Sequence, residues 1–283
     1  MDVLNDSAAL RQRCQKWRAK GLSVALVPTM GFLHAGHLSL IAKARTLADR
    51  LVLSVFVNPT QFGPNEDLDR YPRNLERDCE LAREHGVDLV FAPRAEDMYH
   101  PDHATWVEVP DLSGVLCGAS RPGHFRGVCT VVTKLFGIVR PEVAVFGQKD
   151  WQQLAIIRRM VRDLDLGVNI VGMPIHREED GLALSSRNVY LEPDERKSAP
   201  AIHQGLGLVQ AAINAGERDR EKLALIFRAH LADKLPGARI DYAELVHPET
   251  LASAGAGLSG PTLLAVAVFV GKVRLIDNML LEV

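Results

Sequence analysis

Two imidazoles three residues apart are the first chemistry this sequence offers. His34 and His37 follow the apolar run Val24 to Val27 and the turn residues Pro28 and Gly31. They stand where Leu38, Ile41, Ala42 and Ala48 take up near-helical spacing. A strand that enters a helix through a glycine-containing turn offers backbone N–H groups and a positive helix end to an anion. Residues three apart project from one side of a first helical turn, so this pair could grip a polyphosphate. The plain alternative is two polar surface residues at a helix start, and spacing alone does not choose. A second turn, Gly147-Gln148-Lys149-Asp150, follows the run Glu142 to Phe146 and precedes a helix over Trp151 to Val161. A third group, Ser185, Ser186, Arg187 and Asn188, closes a polar stretch that begins at His176. Imidazoles, an ammonium, hydroxyls and a guanidinium are the donors of a polyphosphate clamp.

The elements that must carry these groups alternate. The pattern predicts a helix over residues 7–20, with Ser7 as N-cap and Gly21 past its end, then the strand and helix around His34. Leu51 to Val57 is a second buried-strand run. Thr60 to Arg73 is a polar segment longer than an ordinary connection, of the kind that serves as a lid or binding loop. A helix to about residue 85 leads to a third strand at Val87 to Phe91. Strand and helix alternating at this spacing mean βαβ units and a parallel sheet. Farther on, the sequence predicts a strand over Ala104 to Val109, a helix over Val128 to Val139 ended by Pro141, and strands at Glu142 to Phe146 and Leu166 to Val171. In a doubly wound sheet, turns at the carboxyl ends of such strands converge where the strand order reverses. The loop Cys117 to Gly127 holds Arg121, His124 and Arg126; it reads equally as a ligand loop or a subunit contact.

The character changes near residue 175. Beyond it the pattern gives helices at about 194–215 and 218–234, then strands at Ile240 to Val246, Thr262 to Val270 and Val273 to Val283. The expected architecture is an α/β chain: a Rossmann-like doubly wound parallel sheet over residues 1–175, and a smaller α+β domain over 176–283 that carries the Ser-Ser-Arg loop.

Bulk composition narrows the partners. The chain has 283 residues, 47% hydrophobic and 24% charged, within the range of soluble globular proteins. A formal net charge of −2 gives no electrostatic case for nucleic acid or for an anionic membrane. Arg158, Arg159 and Arg162 read as a solvated helix face. The opening residues lack the basic start and apolar run of a signal peptide, and the longest apolar run, Leu263 to Val270, is too short to span a bilayer. The four cysteines show no C-x-x-C pair and read as reduced thiols of a cytoplasmic protein. Gly255-Ala-Gly-Leu-Ser-Gly260 matches a dinucleotide fingerprint letter for letter, but a strand, not a helix, is expected after it, so it is read as a loop.

Taken in order, His34-Ala-Gly-His37 and Leu184-Ser-Ser-Arg187 resemble the two signatures of the nucleotidyltransferase superfamily. Four longer stretches narrow the likeness: Pro28 to His37, Val57 to Gly63, Phe146 to Asp150 with Gln152 and Gln153, and Asp180 to Asn188. Together they resemble the pantothenate synthetase family across most of the chain. The resemblance implies a two-step ligation. The carboxylate of (R)-pantoate attacks the α-phosphate of ATP, giving pantoyl adenylate and pyrophosphate, and the amine of β-alanine then displaces AMP. It implies that Met30, Gly31, Phe32, Leu33, His34, Ala35, Gly36 and His37 contact ATP, as do Gly147, Gln148, Lys149, Asp150, His176, Leu184, Ser185, Ser186 and Arg187. His37 is then the proton donor, Lys149 neutralises charge near the α-phosphate, and His176 reaches adenine through its backbone. Gln61 and Gln153 hold pantoate, with Asn58 in support. Amides suit that substrate because they donate to hydroxyls and carboxylate without a charge that would blunt the nucleophile. Asp67 to Arg73 would form a lid over the adenylate. Mg²⁺ would arrive on the phosphates, with Asp78 as one protein contributor, and the chain would form a homodimer. Gln148 stands where many relatives carry Glu, and Leu184 where many carry Met. The rival readings are a nucleotidyltransferase that leaves the nucleotide on its product, and a non-catalytic nucleotide-binding protein. The amides of Gln61 and Gln153 argue against a phosphorylated acceptor; His37, Lys149 and Arg187 argue against lost turnover.

Overall fold

The computed structural model describes residues 1–64 and 66–283. The chain forms two compact units: Met1–Gly114, Arg121–Gln148 and Ile156–Pro174 make the first, and Val115–Ser120, Lys149–Ala155 and Ile175–Val283 the second.

Among the described residues the first unit holds a six-stranded parallel sheet. Its strands are β1 (Asp2–Leu4), β2 (Val24–Thr29), β3 (Arg50–Val55), β4 (Leu89–Phe91), β5 (Val143–Gly147) and β6 (Asn169–Met173), in the order β1-β4-β3-β2-β5-β6. Every pairing is parallel. The Rossmann-like doubly wound arrangement expected from the alternation is present. Val24 to Val27 and Leu51 to Ser54 are buried, as central strands covered on both faces require. Ala25 sits opposite Leu51 on one side and Val143 on the other, so β2 is central and the chain order reverses between β2 and β5. The turn after β2 therefore opens at the topological switch point, where open α/β sheets bind ligands.

Helices α1 (Ser7–Arg18), α2 (Ala35–Arg45), α3 (Leu75–Glu84) and α7 (His124–Val139) flank this sheet, with short helices α4 (Ala95–Met98) and α5 (Pro110–Ser113) between them. Leu33, Ile41 and Ala44 share an apolar cluster with Ala25, Val27, Leu53 and Val145, which fixes the first turns of α2 on the sheet. Each such fully buried large side chain contributes about 1.5–3 kcal/mol.

Three local expectations differ. Asp6, not Ser7, caps α1, accepting from the Ala9 N–H at 2.6 Å. Ala104 to Val109 joins no sheet; its Val107 N–H donates to the Thr130 hydroxyl at 3.1 Å instead. The expected helix at 194–215 is two, α9 (Pro193–Ser198) and α10 (Ala201–Asn214), parted at Pro200, which lacks the N–H to continue the ladder.

The second unit contains α6 (Cys117–Ser120), the first turn of α8 (Trp151–Asp163), α9, α10 and α11 (Arg220–Lys234), and an antiparallel sheet of β7 (Arg239–Val246), β8 (Thr262–Val270) and β9 (Val273–Leu281). Leu206, Phe227, Leu264 and Val266 lie in its core. The stretch from Gly255 to Gly260 is loop followed by β8, as read from the sequence.

Candidate active site

The turn after β2 is built from unusual backbone. Gly31 and Phe32 both have positive φ, +82° and +51°, a conformation that is costly for a bulky residue and needs outside support. The support comes from α3. Asp78, 1% exposed, accepts from the Phe32 N–H at 2.8 Å and the Leu33 N–H at 2.7 Å. Its neighbour Arg77 donates to the Leu33 carbonyl at 3.0 Å and lies over the Phe32 ring. A Cβ on Gly31 would come within 2.8 Å of both Asp78 and Val55, so only glycine fits.

His34 is the N-cap of α2, and Ala35, Gly36 and His37 form its first turn. The two imidazole centroids are 4.0 Å apart. His37 Nδ1 accepts from the His34 N–H at 3.4 Å. In the neutral ring that bond assigns the proton to Nε2, leaving His37 a donor on its far edge.

A second piece of the first unit follows β3. Asn58, buried, donates to Gln61 Oε1 at 3.1 Å and to the Gly127 carbonyl at 3.1 Å. The Thr60 hydroxyl donates to Asn58 Oδ1 at 2.9 Å. With its oxygen held, the Gln61 amide nitrogen faces Met30, 3.0 Å from the sulfur. The structure thus brings Met30, Asn58 and Gln61 together. The loop whose role the sequence left open grips the same turn from behind. His124 Nδ1 donates to the Gln61 carbonyl at 2.7 Å, and Arg121 pairs with Glu66 through Nε at 2.8 Å and through Nη2. Burial pushes the Glu66 carboxyl up, but the Arg121 guanidinium outweighs it and holds it below the usual carboxylate range.

In the second unit the two adjacent glutamines of α8 do different work. Gln152 accepts from the Cys117 N–H at 3.0 Å and donates to the Val115 carbonyl at 2.7 Å, whereas Gln153 is half-buried. Lys149 is half-buried and Asp150 exposed, and the Lys149 carbonyl accepts from Asn278 on β9 at 2.9 Å. Next to Asn278, Asp277 makes a two-pronged pair with Arg177 at 2.7 and 2.9 Å, and Arg177 also donates to the Gly181 carbonyl. One buried Asp-Asn step on β9 therefore anchors both the Lys149 backbone and the head of the Ser-Ser-Arg loop. His176 is exposed and its carbonyl takes the Leu184 N–H at 3.0 Å. Ser185 Oγ accepts from the Arg187 N–H at 3.2 Å, and Ser186 is buried. Gly147 and Gln148 stay with the first unit, at the end of β5.

Sequence reasoning missed Arg77, Asp277, Asn278 and the anchoring by His124. Each acts on a segment tens of residues away, and spacing carries no signal of that. Among the described residues, no group of three or more His, Cys, Asp or Glu side chains is placed to hold a metal, and no helix is long and apolar enough to cross a membrane. Cys14, Cys117 and Cys129 are buried free thiols, and Cys79 is partly buried.

Comparison with known proteins decides what these parts belong to. A family model described as pantoate-beta-alanine ligase matches residues 2–280. The chain belongs to the pantoate-beta-alanine ligase family. A curated member of the family, the pantothenate synthetase of Nitratidesulfovibrio vulgaris (strain DP4), is 56% identical over 281 residues, 99% of each chain. The solved pantoate-beta-alanine ligase of Thermus thermophilus superposes with a TM-score of 0.91 at 47% identity, covering 99% of both chains. That of Francisella tularensis, a complex with Beta-gamma ATP and beta-alanine, gives 0.79 at 33% identity and covers 99% of this chain and 97% of its own. Pantoate-beta-alanine ligases thus match this chain along nearly its whole length.

Proposed function

We propose that this protein joins (R)-pantoate and β-alanine through a pantoyl adenylate, at the residues the motifs single out. The observation that carries the assignment of sites is the fixed amide of Gln61. Asn58 holds its oxygen, so its NH₂ faces Met30 at the end of the strand that leads to the imidazole pair. A neutral donor there receives a hydroxylated carboxylate and leaves it nucleophilic.

In the first step the pantoate carboxylate oxygen attacks the α-phosphorus of MgATP, and the bond to the bridging oxygen of pyrophosphate breaks. Charge grows on the α-phosphoryl oxygens and on the departing pyrophosphate. His34 and His37 act there, His37 as the donor through Nε2–H; Lys149 offsets charge at the α-phosphate, and Ser185, Ser186 and Arg187 hold the phosphates. Donors fixed in advance stabilise that charge without reorganising as it forms. Met30 to His37, Gly147 to Asp150, His176 and Leu184 contact the nucleotide. Gln61, Gln153 and Asn58 bind pantoate. In the second step the β-alanine amine attacks the acyl carbon, the acyl C–O bond breaks, the amine proton is lost, and AMP leaves. Mg²⁺ is part of the nucleotide substrate, held by phosphates and water. The family resemblance supports a cytoplasmic homodimer, and the net charge of −2 fits small-molecule substrates rather than nucleic acid.

The test is an incubation of the purified protein with MgATP, (R)-pantoate and β-alanine, following AMP, pyrophosphate and pantothenate. Equal yields of all three are expected over many turnovers, with β-alanine required for everything beyond a first release of pyrophosphate. Pyrophosphate release without β-alanine-dependent AMP would point to a nucleotidyl transferase, and nucleotide binding without turnover to a binding protein.

A further inference from the structure

The turn that precedes His34, bent by positive φ at Gly31 and Phe32, aims two consecutive N–H groups, those of Phe32 and Leu33, to one side, where an anion could sit. A carboxylate of the protein itself fills that place. Both Asp78 oxygens are engaged, one by Phe32 and one by Leu33, and the side chain is 1% exposed. The space is closed as well, because a single added carbon on Gly31 would come within 2.8 Å of Asp78 Oδ2 and of Val55. A phosphate oxygen has neither donors nor room there. Arg77, one residue earlier on α3, holds the Leu33 carbonyl at 3.0 Å, so two consecutive helix residues grip both polar groups of Leu33, the residue that leads directly into the α2 N-cap.

Resting on the ligase reading above, we infer that Asp78 is a positioning residue for the His34–His37 pair, and that the Phe32 and Leu33 amides serve the fold and not ATP. Asp78 sets a permanent internal anion on these two amides, which holds the positive-φ backbone of bulky Phe32 in place. Nucleotide contacts in this segment are then made by groups other than these two amides. A misplacement of about 1 Å in an oriented catalytic group costs on the order of 10²-fold in rate, which sets the expected scale. This assigns Asp78 away from metal binding.

Two measurements decide it. Amide hydrogen exchange of Phe32 and Leu33 in the wild-type protein should be slow without ligand and unchanged by a non-hydrolysable ATP analogue. Fast exchange that slows only when the analogue binds would overturn the proposal, and this arm needs no variant to fold. Second, Asp78→Asn keeps the shape but sets an NH₂ against one of the two N–H donors. It should slow AMP formation about 10²-fold in the wild-type background and less than about threefold on top of His37→Ala, since residues that act through one another are not additive. The Mg²⁺ concentration for half-maximal rate should not move. Equal losses in both backgrounds, or a Mg²⁺ midpoint shifted about tenfold upward, would overturn the role. Wild-type protein that makes no AMP would instead remove the ligase reading and leave the exchange result standing.

Discussion

The side-chain nitrogen of Gln61 lies 3.0 Å from the sulfur of Met30, which joins the turn after β3 to the end of its neighbour β2. That contact places the amide assigned to pantoate beside the turn that leads into the histidine pair.

Removing the donor should separate chemistry from binding. His37→Ala is expected to lose about 10²-fold or more in adenylate formation, the scale of one oriented transition-state donor. ATP affinity, measured by calorimetry, should change little. Adenylate formed at the wild-type rate in a single-turnover assay would contradict the role given to His37.

Gln61→Glu tests whether the pocket needs a neutral donor. The variant keeps an acceptor for Asn58 Nδ2 but turns an anion toward the pantoate carboxylate. The KM for pantoate should rise about 10–10²-fold, the range for a buried polar group left without its partner. The KM for ATP should hold. An unchanged pantoate KM would move the acid elsewhere.

The seat of that turn is steric. A Cβ on Gly127 would stand 2.4 Å from the Thr60 carbonyl oxygen, backbone against backbone. Gly127→Ala should therefore cost at least about 1–3 kcal/mol in thermal or denaturant unfolding and weaken pantoate binding. Gly137, on the same helix with nothing within 4 Å of its added carbon, is the control. Gly137→Ala should be neutral or stabilising by about 0.5–1 kcal/mol.

Stability should fall in acid for a nameable reason. Burial pushes the Asp241 carboxyl up, but hydrogen bonds from Arg274 and Ser120 outweigh it and hold it below the usual carboxylate range. A carboxyl lowered on folding stabilises above its unfolded pKa, about 3.9, and that contribution disappears as pH falls through the folded value. Thermal scans between about pH 6 and pH 2 should show the loss. Asp241→Asn should start lower at pH 6 and lose less on acidification. Parallel pH curves for the two proteins would remove Asp241 from the explanation.

The sequence carried the frame of this molecule because buried parallel strands are continuous apolar runs. Val24 to Val27 and Leu51 to Val57 read as strands for that reason, and the placement of His34 at a helix start followed from the glycine turn before it. Thr262 to Val270 was legible for the same reason, which also exposed the false glycine fingerprint in front of it. Strand β1, only Asp2–Leu4, is too short to announce itself. Ala104 to Val109 looked like a strand because alternation describes an extended backbone whether or not a neighbouring strand accepts it. The support behind the candidate residues was invisible: Asp78 reaches a turn 45 residues earlier, and Asn278 a backbone 129 residues earlier. Periodicity reports what faces the core, not which polar group will be satisfied across it. Spacing likewise gave no means of telling Gln152, which holds a backbone segment, from Gln153.

The central claim is that pantoate is activated as an acyl adenylate, and isotope transfer tests it most directly. With both carboxylate oxygens of pantoate labelled with ¹⁸O, attack on the α-phosphorus and later cleavage of the acyl C–O bond must carry one labelled oxygen into AMP. Mass spectrometry of the products should find one ¹⁸O in AMP and one in the amide of pantothenate. Unlabelled AMP, with the label in pyrophosphate, phosphate or water, would contradict the account.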